Sequence, residues 1–194
     1  MFEKREILDS VESTNDYLKA FLSARIDRMV VAGEQTSGKG QHGRSWYSPP
    51  GRGLYVSYLF YPSWSVQRSP VVNQASALAV VESIRRFERR ADVRLKRPND
   101  VYIGDRKVCG ILSELGSTGD RVNWAIIGIG INLYGDDFPP ELESTATSLE
   151  RERIRVAHPL DFCRELTDRL AQNLKRAASP DWTELEALYQ QEVR

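Results

Sequence analysis

The stretch Ser37-Gly-Lys-Gly-Gln-His-Gly-Arg-Ser-Trp46 gathers glycines, cations and an aromatic ring within ten residues. Glycines let a backbone approach a ligand and turn its N–H groups outward. Lys39 and Arg44 supply positive charge, and Trp46 offers a flat wall. Two nucleotide patterns overlap here. Gly38-Lys-Gly40-Gln-His-Gly43 matches G-x-G-x-x-G, which works when the last glycine opens a helix facing pyrophosphate. The chain continues instead as Arg44-Ser-Trp-Tyr-Ser-Pro-Pro50, which cannot be helical. Gly33 to Lys39 nearly matches a P-loop, but Gly40 stands where the motif needs Ser or Thr. What remains is an extended anion-binding loop. Taken alone, the segment fits a solvated surface loop equally well.

Four other segments carry reactive side chains. Glu12-Ser-Thr-Asn15 precedes the loop, with helix capping as its ordinary use, and Gln35 ends a strand. Lys96-Arg-Pro-Asn-Asp100 follows, and by composition it is a turn. Asp105-Arg-Lys-Val-Cys-Gly-Ile-Leu112 places Lys107 beside a hairpin turn. Gly128-Ile-Gly-Ile-Asn132 puts two glycines on one face of a strand, where close packing is the plainer explanation.

The elements that must position these residues can be read in order. Glu6 to Asp9 and Met29 to Ala32 read as strands. Between them, Ser13 to Asp16 caps a helix whose stripe is Tyr17, Leu18, Phe21 and Leu22. Thr36 to Gly53 is punctuated by glycine and proline and reads as irregular. Leu54 to Phe60 is a strand, and Ser69-Pro70 starts a helix running to about Arg90. Short strands follow at Val93 to Leu95 and Val101 to Ile103, then longer ones at Lys107 to Leu115 and Val122 to Leu133. Two helical stripes end the chain: Leu160, Cys163, Leu166, Leu170, Leu174, and then Trp182, Leu185, Leu188, Tyr189. Strands joined by short turns give a mostly antiparallel or mixed sheet with helices packed on one face, an α+β domain.

Composition narrows the partners. The 194 residues suit one domain. Lys and Arg total 27, and so do Asp and Glu, so no chain-wide basic field exists to hold nucleic acid. Any anion site must be local. Cys109 and Cys163 lack metal-ligand spacing, and a reduced, cytoplasmic setting is expected. The mixed charges of Met1-Phe-Glu-Lys-Arg-Glu6 give no sign of a membrane anchor.

The chemical segments, in this order, resemble the catalytic domain of biotin–protein ligases, also called biotin–(acetyl-CoA-carboxylase) ligases. The resemblance runs from about residue 5 to 133. It implies a biotin–lipoate ligase fold, like that of class II aminoacyl-tRNA synthetases, and a two-step reaction. Biotin's carboxylate attacks the α-phosphate of ATP, and a lysine of a biotin carboxyl carrier domain then attacks the biotinyl-5′-AMP. Site roles follow from matching positions. Ser13, Thr14, Asn15 and Gln35 are implied to hold the biotin ring. Gly38 and Lys39 match a Gly-Arg pair near the biotin carboxylate. Lys107 is implied to stabilise the charge that builds in the transition state, with Lys39 beside it, while Gly110 lets the backbone approach biotin. Arg44, Trp46, Lys96, Asn99 and Asn132 are implied to bind ATP, with Asp100 meeting the magnesium ion that ATP brings. Homodimers through a sheet edge are a further implication that no sequence feature demands.

The chain also departs from the family pattern. Gln41 stands where an arginine commonly meets the phosphates. One charge-assisted contact is worth about 1.5–3 kcal/mol, so the adenylate is expected to be held less tightly. Arg97 replaces a common tryptophan. Residues 1–194 are expected to form the catalytic domain alone, without a helix-turn-helix, hence without repressor activity, and without the small terminal β-barrel of many members. Two rivals stay open. One is a lipoate or octanoate transferase, which needs a long apolar tunnel and an arginine-rich, glycine-triplet loop. The other is a degenerate module that binds biotin or its carrier without catalysis.

Overall fold

The structure is a computed structural model that describes residues 1–2, 4–179 and 181–193. Seven strands form one sheet: β1 (Lys4–Val11), β2 (Arg28–Gln35), β3 (Gly53–Phe60), β4 (Val93–Lys96), β5 (Asp100–Ile103), β6 (Arg106–Thr118) and β7 (Arg121–Asn132). Their order is β1-β2-β3-β7-β6-β5-β4. Only the β1–β2 pairing is parallel, and every other neighbour runs antiparallel. The tight turns suit this meander. Gly104 between β5 and β6, and Gly119 between β6 and β7, both take φ of +57°, a conformation that costs glycine little.

Alternation along the strands separates two faces. Val56, Tyr58, Ile127, Ile129 and Ile111 point one way, into the main core. α2 (Ser69–Phe87) covers that face and is itself packed beneath α3 (Pro159–Ala178) and α4 (Thr183–Glu192). Being enclosed, α2 buries residues all round. Its buried Ser76 and Ser83 return their hydroxyls to the Val72 and Ala79 carbonyls, each at 2.7 Å. α3 instead shows the amphipathic stripe that the sequence predicts: Cys163, Leu166, Leu170 and Leu174 are all buried.

Three sequence expectations need adjustment. α1 (Thr14–Lys19) ends before Phe21 and Leu22, which enter a 3₁₀ turn at Leu22–Ala24. Apolar spacing alone does not distinguish that tight turn from another turn of α-helix. α1 also lies on the face opposite the long helices, with Leu18 against Val30, Leu59 and Ile126. Third, the 36–53 segment is partly ordered: Lys39 bridges Ser45 in antiparallel fashion around a 3₁₀ turn at Gln41–Gly43. No helix among the described residues is long and apolar enough to cross a membrane.

Candidate active site

The face not covered by the long helices carries a cavity of about 310 Å³. Its floor follows from strand register. Gly110 of β6 lies opposite Gly130 of β7, and Gly130 opposite Tyr55 of β3. One step along, Leu112 faces Gly128, which faces Ser57. The glycines leave this patch of sheet without side chains, and two other residues lie in the space. A Cβ on Gly130 would come within 2.2 Å of Trp46 Nε1, and one on Gly128 within 2.3 Å of Asn15 Oδ1. Trp46 also covers Gly110. Its indole nitrogen is buried without a hydrogen-bond partner.

One end of the cavity is a polar network built by α1, β2 and β3. Ser13 caps α1 and accepts a hydrogen bond from the Asp16 N–H at 3.4 Å. Gln35 Oε1 accepts from the Thr14 N–H at 2.8 Å and lies 3.0 Å from the Thr14 hydroxyl. Gln35 Nε2 donates to Ser48, whose hydroxyl donates to the Trp46 carbonyl. Ser57 Oγ lies 2.7 Å from Thr14 Oγ1 and 2.6 Å from Asn15 Oδ1, and its single hydrogen serves one of them. Asn15 Nδ2 donates to Glu114 at 2.8 Å and to the Leu112 carbonyl at 3.3 Å. Ser13, Thr14 and Asn15 are all buried, so this end is fixed before any ligand arrives.

The other end is charged. Lys107 Nζ lies 2.7 Å from Asp100 Oδ1 and 5.2 Å from the centre of the Trp46 ring. Asp100 Oδ1 is buried and has no aligned hydrogen bond, so this contact is one of charge. Lys39, Arg44 and Lys107 line the wall against one acid, Asp100, among its described residues. Lys39 is itself paired with Asp16 at 2.6 Å. Burial works to raise the Asp16 carboxyl, but hydrogen bonds and charge from Lys39 and Lys19 outweigh it and hold it below its ordinary value of 3.8. Burial pushes the neighbouring Cys109 thiol far up, which leaves it without thiolate chemistry.

The structure gathers most of the expected residues around this cavity. Ser13, Thr14, Asn15, Gln35, Lys39, Arg44, Trp46, Asn99, Lys107, Gly110 and Asn132 line it. Gly38 stands just behind: its carbonyl accepts from the Trp46 N–H at 2.9 Å, and a Cβ there would meet the Trp46 carbonyl at 2.5 Å. Lys96 is not among the lining residues. It is exposed, with its ammonium 5.1 Å from the Tyr102 ring centre. Asn99 uses its side-chain N–H on the Ile111 carbonyl, and Asn132 uses its own on the Thr147 carbonyl.

Sequence reading missed one wall entirely. Phe138, Leu142, Thr145 and Ala146 close the cavity from the segment after β7. Lys107 N–H donates to the Thr145 carbonyl at 2.8 Å, and Thr147 N–H donates to the Lys107 carbonyl at 2.9 Å. Leu149 and Glu150 N–H groups reach Asn132 and Leu133. This strap therefore ties the Lys107 end of β6 to the end of β7. Glu152 secures it further by accepting from Thr147 at 2.6 Å and Arg106 at 2.8 Å.

The sheet has one helical face and one open face, and the open face bears a cavity lined by Lys39, Arg44 and Lys107 and by a fixed polar network. Comparison with known proteins identifies the family. The model of the biotin/lipoate A/B protein ligase family matches residues 7–132, and the chain belongs to that family. Over 151 residues it is 38% identical to the bifunctional ligase/repressor BirA of Bacillus spizizenii, covering 76% of this chain and 45% of that protein. It is 30% identical over 161 residues to a biotin–(acetyl-CoA-carboxylase) ligase of Paracoccus denitrificans, covering 80% of this chain and 67% of that one. The structure of biotin protein ligase from Aquifex aeolicus in complex with biotin and ATP superposes with a TM-score of 0.84 at 28% identity. That match covers 99% of this chain and 79% of the other. The chain thus spans less than half of the BirA relative's length.

Proposed function

We propose that this chain activates biotin with ATP and transfers it to a lysine of a biotin carboxyl carrier domain. The observation that carries the reading is one cavity lined both by the cations Lys39, Arg44 and Lys107 and by the Ser13–Asn15 and Gln35 network. A carboxylate and a triphosphate repel each other, so a site that joins them needs excess positive charge. It also needs a rigid grip on the uncharged part of the acid, so that the reacting oxygen is aimed. The name of the relative at 30% identity, a biotin–(acetyl-CoA-carboxylase) ligase, and the biotin and ATP bound to the Aquifex aeolicus neighbour support biotin as the acid.

In the first step a biotin carboxylate oxygen bonds to the α-phosphorus, and the bond to the β-phosphate oxygen breaks. Pyrophosphate leaves, and biotinyl-5′-AMP remains. Lys107 and Lys39 offset the negative charge gathered there. In the second step the amine of the acceptor lysine attacks the acyl carbon, AMP leaves, and the amine gives up a proton as the amide forms. Trp46, Phe138 and Leu142 shield the labile anhydride from water.

The donor set does not fit a metal held by the protein. Asp100 is the one acid among the described wall residues, its Oδ1 faces Lys107, and no group of three or more His, Cys, Asp or Glu among the described residues could hold an ion. Magnesium would enter only as the counter-ion that the nucleotide brings.

The test is incubation with ATP, biotin and a purified carrier domain. A biotinyl mass gain on the carrier lysine is the expected result. ATP–pyrophosphate exchange run with biotin and with lipoate separates the rivals. Exchange with lipoate alone would overturn the biotin assignment. Neither exchange nor mass gain, where a known ligase works, would make the chain a binding module.

A further inference from the structure

Lys39 lines the cavity, yet its ammonium is held from outside by Asp16, which is not a wall residue. The two ends of this pair are unequal. Asp16 sits on α1 with its backbone N–H capped by Ser13. Its second carboxylate oxygen takes Lys19 at 2.9 Å, and Lys19 reaches Glu114 of β6 at 2.7 Å. Glu114 in turn holds Asn15. Lys39 stands on the 36–48 loop, whose internal order rests on a few backbone bonds, such as Gly40 N–H to the Arg44 carbonyl at 2.7 Å and Trp46 N–H to the Gly38 carbonyl at 2.9 Å. Charges therefore alternate from loop to helix to sheet: Lys39, Asp16, Lys19, Glu114.

We propose that Asp16 is a positioning residue that latches the 36–48 loop through Lys39, so that the lysine is aimed into the cavity before any anion arrives. An ammonium has three N–H donors, and Asp16 engages one side of it, so donors remain for a ligand. Lys19 offsets the Asp16 charge, which limits its repulsion of an incoming carboxylate. The latch itself stands on geometry alone. Its consequence for binding rests on the reading of the cavity as a biotin site.

Hydrogen exchange of the unliganded full chain tests the latch without any ligand. Asp16→Asn keeps the shape and removes the charge, and Lys39→Gln removes the other partner. Each single variant is expected to speed exchange of the Gly40 and Trp46 amides by about two- to five-fold, the range for a partly exposed ion pair. The double variant should exchange no faster than either single one, because Asp16 acts only through Lys39. Unchanged exchange in Asp16→Asn, or multiplied effects in the double variant, would overturn the proposal. Biotin titration then tests the consequence. Asp16→Asn should weaken binding by about two- to five-fold, and the gap should close near 1 M salt, where screening acts within about 3 Å. Equal affinity of wild type and Asp16→Asn would mean the latch does not aim Lys39. If the latch behaves as expected but the wild type takes no biotin, the substrate reading fails and the latch stands.

Discussion

At the scale of single residues, Lys107 is the sharpest test of the chemistry. Its backbone is gripped on both sides by the strap, and its ammonium stands between Asp100 and the face of Trp46. Lys107→Ala is expected to lower pyrophosphate exchange by about 10²–10³-fold, the cost of losing one charge that acts mainly in the transition state. Stability should fall by about 1–3 kcal/mol, because the buried Asp100 Oδ1 loses the ammonium that faces it. Wild-type exchange in this variant would remove Lys107 from its role. Gln41 tests the weaker side of the site. It lines the cavity without charge, at the position where the family resemblance implies an arginine. Gln41→Arg should add a charge-assisted contact and slow the release of biotinyl-adenylate by roughly ten-fold. An unchanged release rate, read by rapid filtration, would show that residue 41 does not meet the intermediate.

At the scale of elements, the site is a strip of bare sheet with a loop laid across it. Gly130→Ala is expected to push Trp46 off the floor, because the new Cβ would stand 2.2 Å from the indole nitrogen. The loop can yield where a core could not, so the fold should survive while adenylate affinity drops by about ten-fold, within the usual 1–3 kcal/mol for overpacking. Gly110→Ala meets Trp46 at 2.9 Å and should cost less. A reversed order, or unaltered Trp46 fluorescence in Gly130→Ala, would contradict this packing. Much of this layer is legible in the sequence. Alternation marks Gly128 and Gly130 as sharing a face, and glycine at 104 marks the hairpin that presents Lys107. That Gly110 lies opposite Gly130 is not legible, because it depends on register across two strands. The strap after β7 is illegible for a different reason. It grips Lys107 and Asn132 largely through main-chain bonds, which make no demand on residue type, and it has no period to detect. The Lys39–Asp16 pair is likewise hidden, since a charge in a loop is ordinarily solvated and nothing local names its partner.

At the scale of the whole molecule, the two edges of the sheet differ. The β4 edge is occupied: Leu95 bridges Val193, and Arg85 grips Glu192 at 2.5 and 2.7 Å. β1 forms the opposite edge, pairs with β2 alone among the described residues, and carries Ile7 at 66% exposure. An open edge is a template for a second strand, and two copies of one edge meet about a two-fold axis. An antiparallel pairing centred on Ile7 sets Arg5 against Asp9 twice, on the same face as the two Ile7 side chains, so this register is complementary in both charge and apolar contact. The homodimer implied by the family resemblance is expected to use it. Sedimentation equilibrium should then show Ile7→Glu weakening self-association by about ten-fold, since two like charges would face each other across the axis. Asp9→Arg should weaken it too, and adding Arg5→Asp should restore it, because the double reversal rebuilds both ion pairs. Activity in the adenylation step should be untouched by all three, as β1 residues 5, 7 and 9 are absent from the cavity wall. A dimer that survives Ile7→Glu at wild-type strength would place the interface elsewhere.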